Sequence, residues 1–458
     1  MDSIIEKNVQ EEIFLDECEY FFSFLTDRFE LATEMWKKEL EKKFNKKFKP
    51  IWILSAKQNK FFQKDNYIIL SKKLKELCSL YGNGELIYLQ DYGDLNKEFS
   101  ESEYIQDLIE RLIDKQDRVF LLGFTTSCLD IKNPKVKLLG PDPNVSTKFD
   151  NKVEHIKLFE KLDVPRNKTK IYKSIEEIKN NEQYPFFISA SYTSGGHESN
   201  FIYEEKDLDI FYSNLRDINK KNSFLVAKLI KDISSSPNVN AIITGENKTS
   251  VICITDQILR KNEYLGNIYP SKIKEDIKKQ IIETTKIIGN SLSTLGFRGL
   301  FGFDFIVDSK DNLYTIDLNP RRQGGYLCNV LMSKNINIIE QELKLALGEE
   351  IPQFNYEEFQ GEFAWAHSKV KPYYKNTQVI KSFCEGNPKD PFSEIGSSYR
   401  CIFYSEDSIL LEGNGGYIML SGKDHKEVKE NIIKQTEIAI SKNFELYEGI
   451  EENSHSDK

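Results

Sequence analysis

Apolar and polar positions alternate on both sides of Asp308-Ser309-Lys310-Asp311-Asn312, a run of turn-forming residues. The pattern predicts an antiparallel hairpin over residues 302–319. If Ser309 to Asn312 form the loop, Phe303 faces Leu318, Phe305 faces Ile316 and Val307 faces Tyr314. The apolar pairs then share one side of the sheet. The same register sets Asp304 opposite Asp317, with Asn319 further along the same face. A loop one residue longer would set Asp304 against Ile316 and scramble both faces.

Elsewhere the period changes along the chain. From Val9 to Phe44 the apolar residues Ile13, Leu15, Phe21, Phe22, Leu25 and Leu31 fall near helical spacing, which predicts a long amphipathic helix or helix pair before Pro50. Apolar runs at 51–54, 85–89, 118–122 and 136–139, with helical segments near 70–80 and 103–113, predict a small parallel sheet. Gly140-Pro141-Asp142-Pro143-Asn144 closes that region. A helix is expected from Phe149 to about Leu162, then strands at 184–189, 224–230, 241–244 and 250–254. An amphipathic helix over 271–295 carries Ile273, Ile277, Ile281, Ile282, Ile287 and Ile288 as its apolar stripe. A further helix is expected near 336–347. Beyond Pro352, strand-like runs at 361–366 and 401–404, a tight turn at 413–416 and a helix over 423–442 suggest a separate C-terminal region. Residues 451–458 are expected to fray.

Composition narrows the function classes. A length of 458 residues suggests about three domains. The net charge of −9 and a pI near 5.4 argue against a general nucleic-acid binder. No apolar run approaches the roughly 18 residues a membrane span needs. Acidic residues stand in Met1-Asp2-Ser3-Ile4-Ile5-Glu6-Lys7 where a secretory signal would be apolar. The seven cysteines show neither CxxC nor short Cys/His spacing, so no zinc site or disulfide framework is indicated and a reducing cytoplasm is the expected location.

Two carboxylates facing each other across a ladder, Cβ atoms roughly 5 Å apart, repel one another. Either they lie on a solvated polar edge, or a cation sits between them. Oxygen-only ligands suit a hard ion, and Mg²⁺ commonly takes one or two carboxylates together with substrate phosphates.

Asp304 followed by Asp317-Leu318-Asn319-Pro320-Arg321 resembles the metal-binding hairpin of the ATP-grasp superfamily, although most members carry Glu where Asp317 stands. The resemblance implies an α/β (α+β) fold: an N-terminal helix plus Rossmann-like domain over 1–148, an ATP-grasp domain over 149–350 with its hinge near 224–230, and a small α+β domain over 351–458. It implies ATP and Mg²⁺ (or Mn²⁺) as cofactors, the metal on Asp304, Asp317 and Asn319. Lys152, with Lys148 as the alternative, corresponds to a phosphate-contacting lysine. Ser194, Gly195, Gly196 and His197 fall in a phosphate-covering loop, and backbone N–H groups in such a Ser/Gly loop suit phosphate. Ser189 occupies the place where most members have a phosphate-binding Lys. Main-chain groups of Ala227, Lys228 and Leu229 would read adenine. Arg321, with Arg322 as runner-up, would neutralise charge on the reacting carboxylate.

The implied activity is carboxylate–amine ligation through an acyl phosphate, with amino-acid or peptide substrates, as in ligases of natural-product pathways. A homodimer is one use of the N-terminal helical face. The rival reading is a non-catalytic relative that binds a nucleotide or metabolite as a scaffold or sensor.

Overall fold

The computed structural model describes residues 4–9, 11–24, 29–55, 66–70, 92–193, 198–260, 263–326, 329–330, 333, 335–353, 356–359, 363–368, 400–402, 416–421, 426 and 430. The chain forms two compact units, Met1–Gly140 with Gly324–Ile351 and Gln360–Lys458, and Pro141–Gln323 with Pro352–Phe359.

The first unit is built on a six-stranded sheet in the order Ile4–Asn8, Tyr67–Leu70, Phe48–Ser55, Glu19–Phe24, Val119–Leu122, Val136–Leu139. All neighbours are parallel except Ile4–Asn8, which runs antiparallel along Tyr67–Leu70. The expected N-terminal helix is therefore corrected. Glu19–Phe24 is a strand buried at every position, and among the described residues only Phe29–Phe44 is α-helical there. Its sequence, Glu-Tyr-Phe-Phe-Ser-Phe, is rich in aromatic residues that suit a central strand covered on both faces, and burial overrides the loose helical spacing. Leu70, placed at a helix start by spacing, ends a strand instead. The expected strand at 85–89 lies outside the described residues. Helix Glu103–Gln116 starts at Ser102, whose hydroxyl accepts from the Ile105 N–H, and stops at Asp117 in the left-handed conformation (φ 68°). The same unit holds helix Ile338–Ala346 and an antiparallel group, Phe363–Ser368 with Gly416–Ser421 and Arg400–Ile402. Of the expected helix over 423–442, only Lys426 and Glu430 are described, both helical.

The second unit has two antiparallel sheets. A four-stranded sheet runs Thr169–Tyr172, Phe224–Lys228, Phe186–Ala190, Ser199–Ile202. Tyr172, Ile188, Phe224 and Val226 on one face pack with Ile178, Leu208 and Phe211 from the helices Ile175–Asn181 and Glu205–Ser213. In the larger sheet, Gly299–Asp308 pairs with Pro237–Gly245 and with Leu313–Asn319, and Lys248–Arg260 and Glu263–Tyr269 continue outward. Alternate residues Val239, Ala241, Ile243, Phe301 and Phe303 bury against Ile277, Ile281, Ile288 and Leu292 of helix Glu275–Thr294. Each Val, Ile, Leu or Phe side chain among them contributes about 1.5–3 kcal/mol of burial. Ile287, read as part of the stripe, is 41% exposed on the outer side.

The hairpin register holds where the carboxylates are and slips beyond them. Phe303 pairs with Leu318 and Asp304 with Asp317, as the alternation predicts. A bulge follows, so Phe305 pairs with Thr315 and Val307 with Leu313, not with Ile316 and Tyr314. The extra residue lets Leu313 and Leu318 both reach the core while Ile316 and Tyr314 stay half-buried. Ser309–Asn312 is the loop, held by Asp308, whose carboxylate accepts from the Lys310 and Asn312 N–H groups and from the Asn312 and Tyr314 side chains.

Candidate active site

Lys152 is the first residue of helix Lys152–Lys161, capped by Asn151, whose side chain accepts from the Val153 N–H. The Lys152 N–H donates to the Ser191 carbonyl at 2.9 Å, which ties the helix to the end of strand Phe186–Ala190. From that point the Lys152 ammonium reaches Asp317 Oδ2 at 2.6 Å. One helical turn on, His155 is buried behind the same carboxylate, with Nδ1 3.1 Å from Asp317 Oδ1. The other ring nitrogen, Nε2, meets the Phe149 carbonyl, which only accepts, so Nε2 carries a hydrogen. A neutral ring then has a lone pair on Nδ1, which accepts from the Leu318 N–H at 3.4 Å. In that state Asp317 Oδ1 is a buried oxygen without a hydrogen-bond donor.

Asp304 faces this group. Its Oδ1 accepts from Asn238 at 2.7 Å and from Gln257 at 2.9 Å, and its Oδ2 has only the Asn319 amide, at 3.5 Å. Asn238 belongs to a polar ladder. Asn240 donates to Asn238, Thr255 packs its hydroxyl on the Asn238 carbonyls, and Asn267 donates to Thr255 at 2.7 Å. One face of the large sheet is therefore apolar against its helix, and the other is an amide-lined floor ending at Asp304.

The two carboxyls are driven apart. Burial, then the neighbouring Asp317 charge, push Asp304 up to about 6 from an ordinary 3.8, against the downward pull of Asn238, Lys152 and Arg321. Burial also pushes Asp317 up, but the Lys152 charge, joined by His155 when its ring is protonated, outweighs it and holds it well below the usual carboxylate range.

The structure brings Lys152, Asp304, Asp317 and Asn319 together, with the Arg321 charge near enough to lower Asp304. Lys148 is exposed, its ammonium over the Phe149 ring. Arg322 is no surface charge: it is 1% exposed. Ser189 shares a face of the small sheet with Leu225 and Ala227, and its hydroxyl donates to the Ala190 carbonyl at 3.2 Å. Ala227 and Lys228 lie within the ladder and Leu229 just past its end, and the Lys228 carbonyl accepts from Asn167 at 2.7 Å. Ser194, Gly195, Gly196 and His197 lie outside the described residues. Sequence reading missed His155, Asn238 and Gln257. Their signals were present: His155 stands three residues after Lys152 on one helix, and Asn238 and Gln257 are polar positions on strands that alternate.

Among the described residues no group of three or more His, Cys, Asp or Glu side chains is arranged as a metal cage. Two carboxylates and an amide, with one carboxylate oxygen lacking a donor, still fit Mg²⁺, which leaves most of its shell to water and substrate phosphate.

The residues flanking 193–197 are clamped by a second cluster. Glu198 accepts from the Arg216 N–H at 2.6 Å, from the Arg216 guanidinium at 2.7 Å and from Asn219 at 2.6 Å. Arg216 and Asn219 also donate to the Tyr192 carbonyl. Replacing Arg216 with Ala strips Glu198, whose side chain is 11% exposed, of its counterion. The expected loss is about 3 kcal/mol, read as a lower urea midpoint at unchanged slope.

Comparison with known proteins finds both related sequences and related folds. A family model described as L-aspartate--L-methionine ligase, ATP grasp, matches residues 165–319. The carbamoyl phosphate synthase large chain of Clostridium botulinum (strain Loch Maree / Type A3) is 27% identical over 235 residues, 49% of this chain. The match covers 21% of that protein, so the chain spans about a fifth of the length of the curated relatives it matches. Among solved structures, the biotin carboxylase–β,γ-ATP complex from Campylobacter jejuni superposes with a TM-score of 0.60 at 17% identity, covering 90% of this chain and 89% of that one. N5-carboxyaminoimidazole synthase from Aspergillus clavatus, in complex with ADP and 5-aminoimidazole ribonucleotide, gives 0.61 at 11% identity, covering 92% and 99%. The chain has the ATP-grasp fold, and residues 165–319 are similar to an ATP-grasp ligase family.

Proposed function

We propose that this protein is an ATP-dependent ligase that joins a carboxylate to an amine. The observation that carries the reading is the opposed Asp304/Asp317 pair, flanked by Asn319, Lys152 and the charge of Arg321 on the ATP-grasp hairpin. Asp304, Asp317 and Asn319 would hold Mg²⁺, or Mn²⁺ in its place, which supplies positive charge to the ATP phosphates. Ser189 and residues 194–197 would face the phosphates, and the strand end at Ala227, Lys228 and Leu229 the adenine.

In the proposed reaction a substrate carboxylate oxygen attacks the γ-phosphorus and the bond to ADP breaks. The amine nitrogen then attacks the acyl carbon, phosphate leaves with its oxygen, and the amine proton passes to solvent. Lys152 neutralises charge on the transferring phosphoryl group, and Arg321 orients the carboxylate. The description of the matching family supports amino acids as both carboxylate and amine. A role in natural-product or small-peptide synthesis, a cytoplasmic location, a homodimer and the division at 148 and 350 belong to the same proposal. No helix among the described residues is long and apolar enough to cross a membrane.

The test is thermal unfolding with Mg·ATP followed by ADP release over pairs of amino acids. At about 100 times Kd, nucleotide stabilises the native state by roughly 2.7 kcal/mol. Magnesium-dependent stabilisation with ADP release only when both an acid and an amine are present supports the ligase. Stabilisation without turnover on any pair selects the non-catalytic reading, which the uncharged Ser189 favours. No stabilisation overturns both.

A further inference from the structure

Lys152 stands where a metal ion would be needed. Its ammonium is 2.6 Å from Asp317 Oδ2, hydrogen-bond contact with no room for an ion between them, and both side chains are 17% exposed. Its charge also reaches Asp304, so it serves both carboxylates at once. Without any cation, two half-buried carboxylates paired across a ladder would repel strongly. The Lys152 backbone is fixed by its N–H bond to Ser191 and by the Asn151 cap, whereas the ammonium is carried on a flexible four-carbon stem. The ammonium can therefore leave while the backbone stays as it is.

We propose that Lys152 is the resident cation of the Asp304/Asp317 pair and is exchanged for a divalent cation, whose arrival frees the ammonium for nucleotide phosphate. The proposal rests on the metal role assigned to the pair above and adds that lysine and metal compete for Asp317 Oδ2. Lysine then has two effects of opposite sign. It holds the empty site together and keeps metal off, and it draws phosphate in once displaced. Metal and nucleotide consequently enter together.

The experiment is Mn²⁺ binding to the full chain without nucleotide, followed by the loss of the free-ion electron paramagnetic resonance signal. Wild type is compared with Lys152→Met and Lys152→Gln, each also combined with Asp304→Asn. Gln keeps a donor for Asp317 and covers the case in which Met prevents folding. Mn²⁺ affinity should rise at least about tenfold in either single variant, because a competing charge in direct contact has gone. ADP affinity measured with Mg²⁺ present should fall about tenfold in the same proteins. Mn²⁺ binding that is unchanged or weaker in both variants overturns the exchange, and so does tighter binding that survives Asp304→Asn. The Mn²⁺ readout needs no turnover, so its failure leaves the ligase reading to be judged on ADP release, and a failed ligase screen leaves the exchange to be judged on Mn²⁺.

Discussion

Asp304→Asn and Asp317→Asn should shift the stability of the metal-free protein in opposite directions at pH 7.5, although both should abolish magnesium-dependent ATP binding. Asp304 is held near 6 in the fold against an ordinary 3.8. Its favourable contribution is fully present below about pH 4 and disappears as the pH rises through about 6; above that the charged form is a burden on the fold. Asn keeps an acceptor for Asn238 and Gln257 and removes that burden. The gain should grow between pH 4 and 7 and reach at most about 3 kcal/mol, or about 2–4 °C in Tm per kcal/mol. Asp317 has the opposite sign. Its folded value is depressed, so its contribution is present above the ordinary carboxylate range and is lost only as the pH falls through the folded value. Asp317→Asn removes the carboxylate in direct contact with the half-buried Lys152 ammonium and should cost about 3 kcal/mol at neutral pH. Thermal unfolding from pH 4 to 8 without metal, with an ADP-release assay beside it, checks both. Two variants that move together would mean that the carboxylates share one environment.

Gly302→Ala should destabilise the protein by about 3 kcal/mol and disturb the site from behind. A Cβ there would lie 2.2 Å from Gln323 Oε1 and 2.4 Å from the Val239 carbonyl oxygen. Gln323 could move, but Val239 is fixed by the ladder that pairs it with Phe303. Gly302 itself pairs with Asn319, so any shift passes directly to the candidate metal ligands. Gly296 is the control: its φ is +93° with nothing within 4 Å of an added Cβ, so Ala there costs only backbone strain, about 1 kcal/mol. Equal urea midpoints for the two variants would contradict the packing reading.

A glycine at 302 permits close backbone packing, but only the tertiary structure shows that its neighbour is Gln323. The same division runs through the whole site. Asp304 opposite Asp317 was legible because strand alternation ties each residue's face to its neighbours, and the loop at Ser309–Asn312 was legible from turn formers. Past the carboxylates the alternation no longer determined the register. Alternation set Phe305 opposite Ile316 and Val307 opposite Tyr314, and the bulge that buries Leu313 sets them opposite Thr315 and Leu313 instead.

At the N-terminus the local pattern pointed the wrong way. Glu19–Phe24 has loosely helical spacing in isolation and becomes a strand because parallel neighbours cover both its edges. Nor could local pattern pair Lys152 with Asp317, 165 residues away. Nothing near either residue records the other, and the pair forms because a helix start and a strand end are buried side by side. What the sequence determined by itself was what each short segment could become and which chemical groups it would present. Which of those groups meet, which oxygen is left without a donor, and how far each carboxyl is pushed from its ordinary pKa were decided by tertiary packing, because burial and charge act through space and not along the chain.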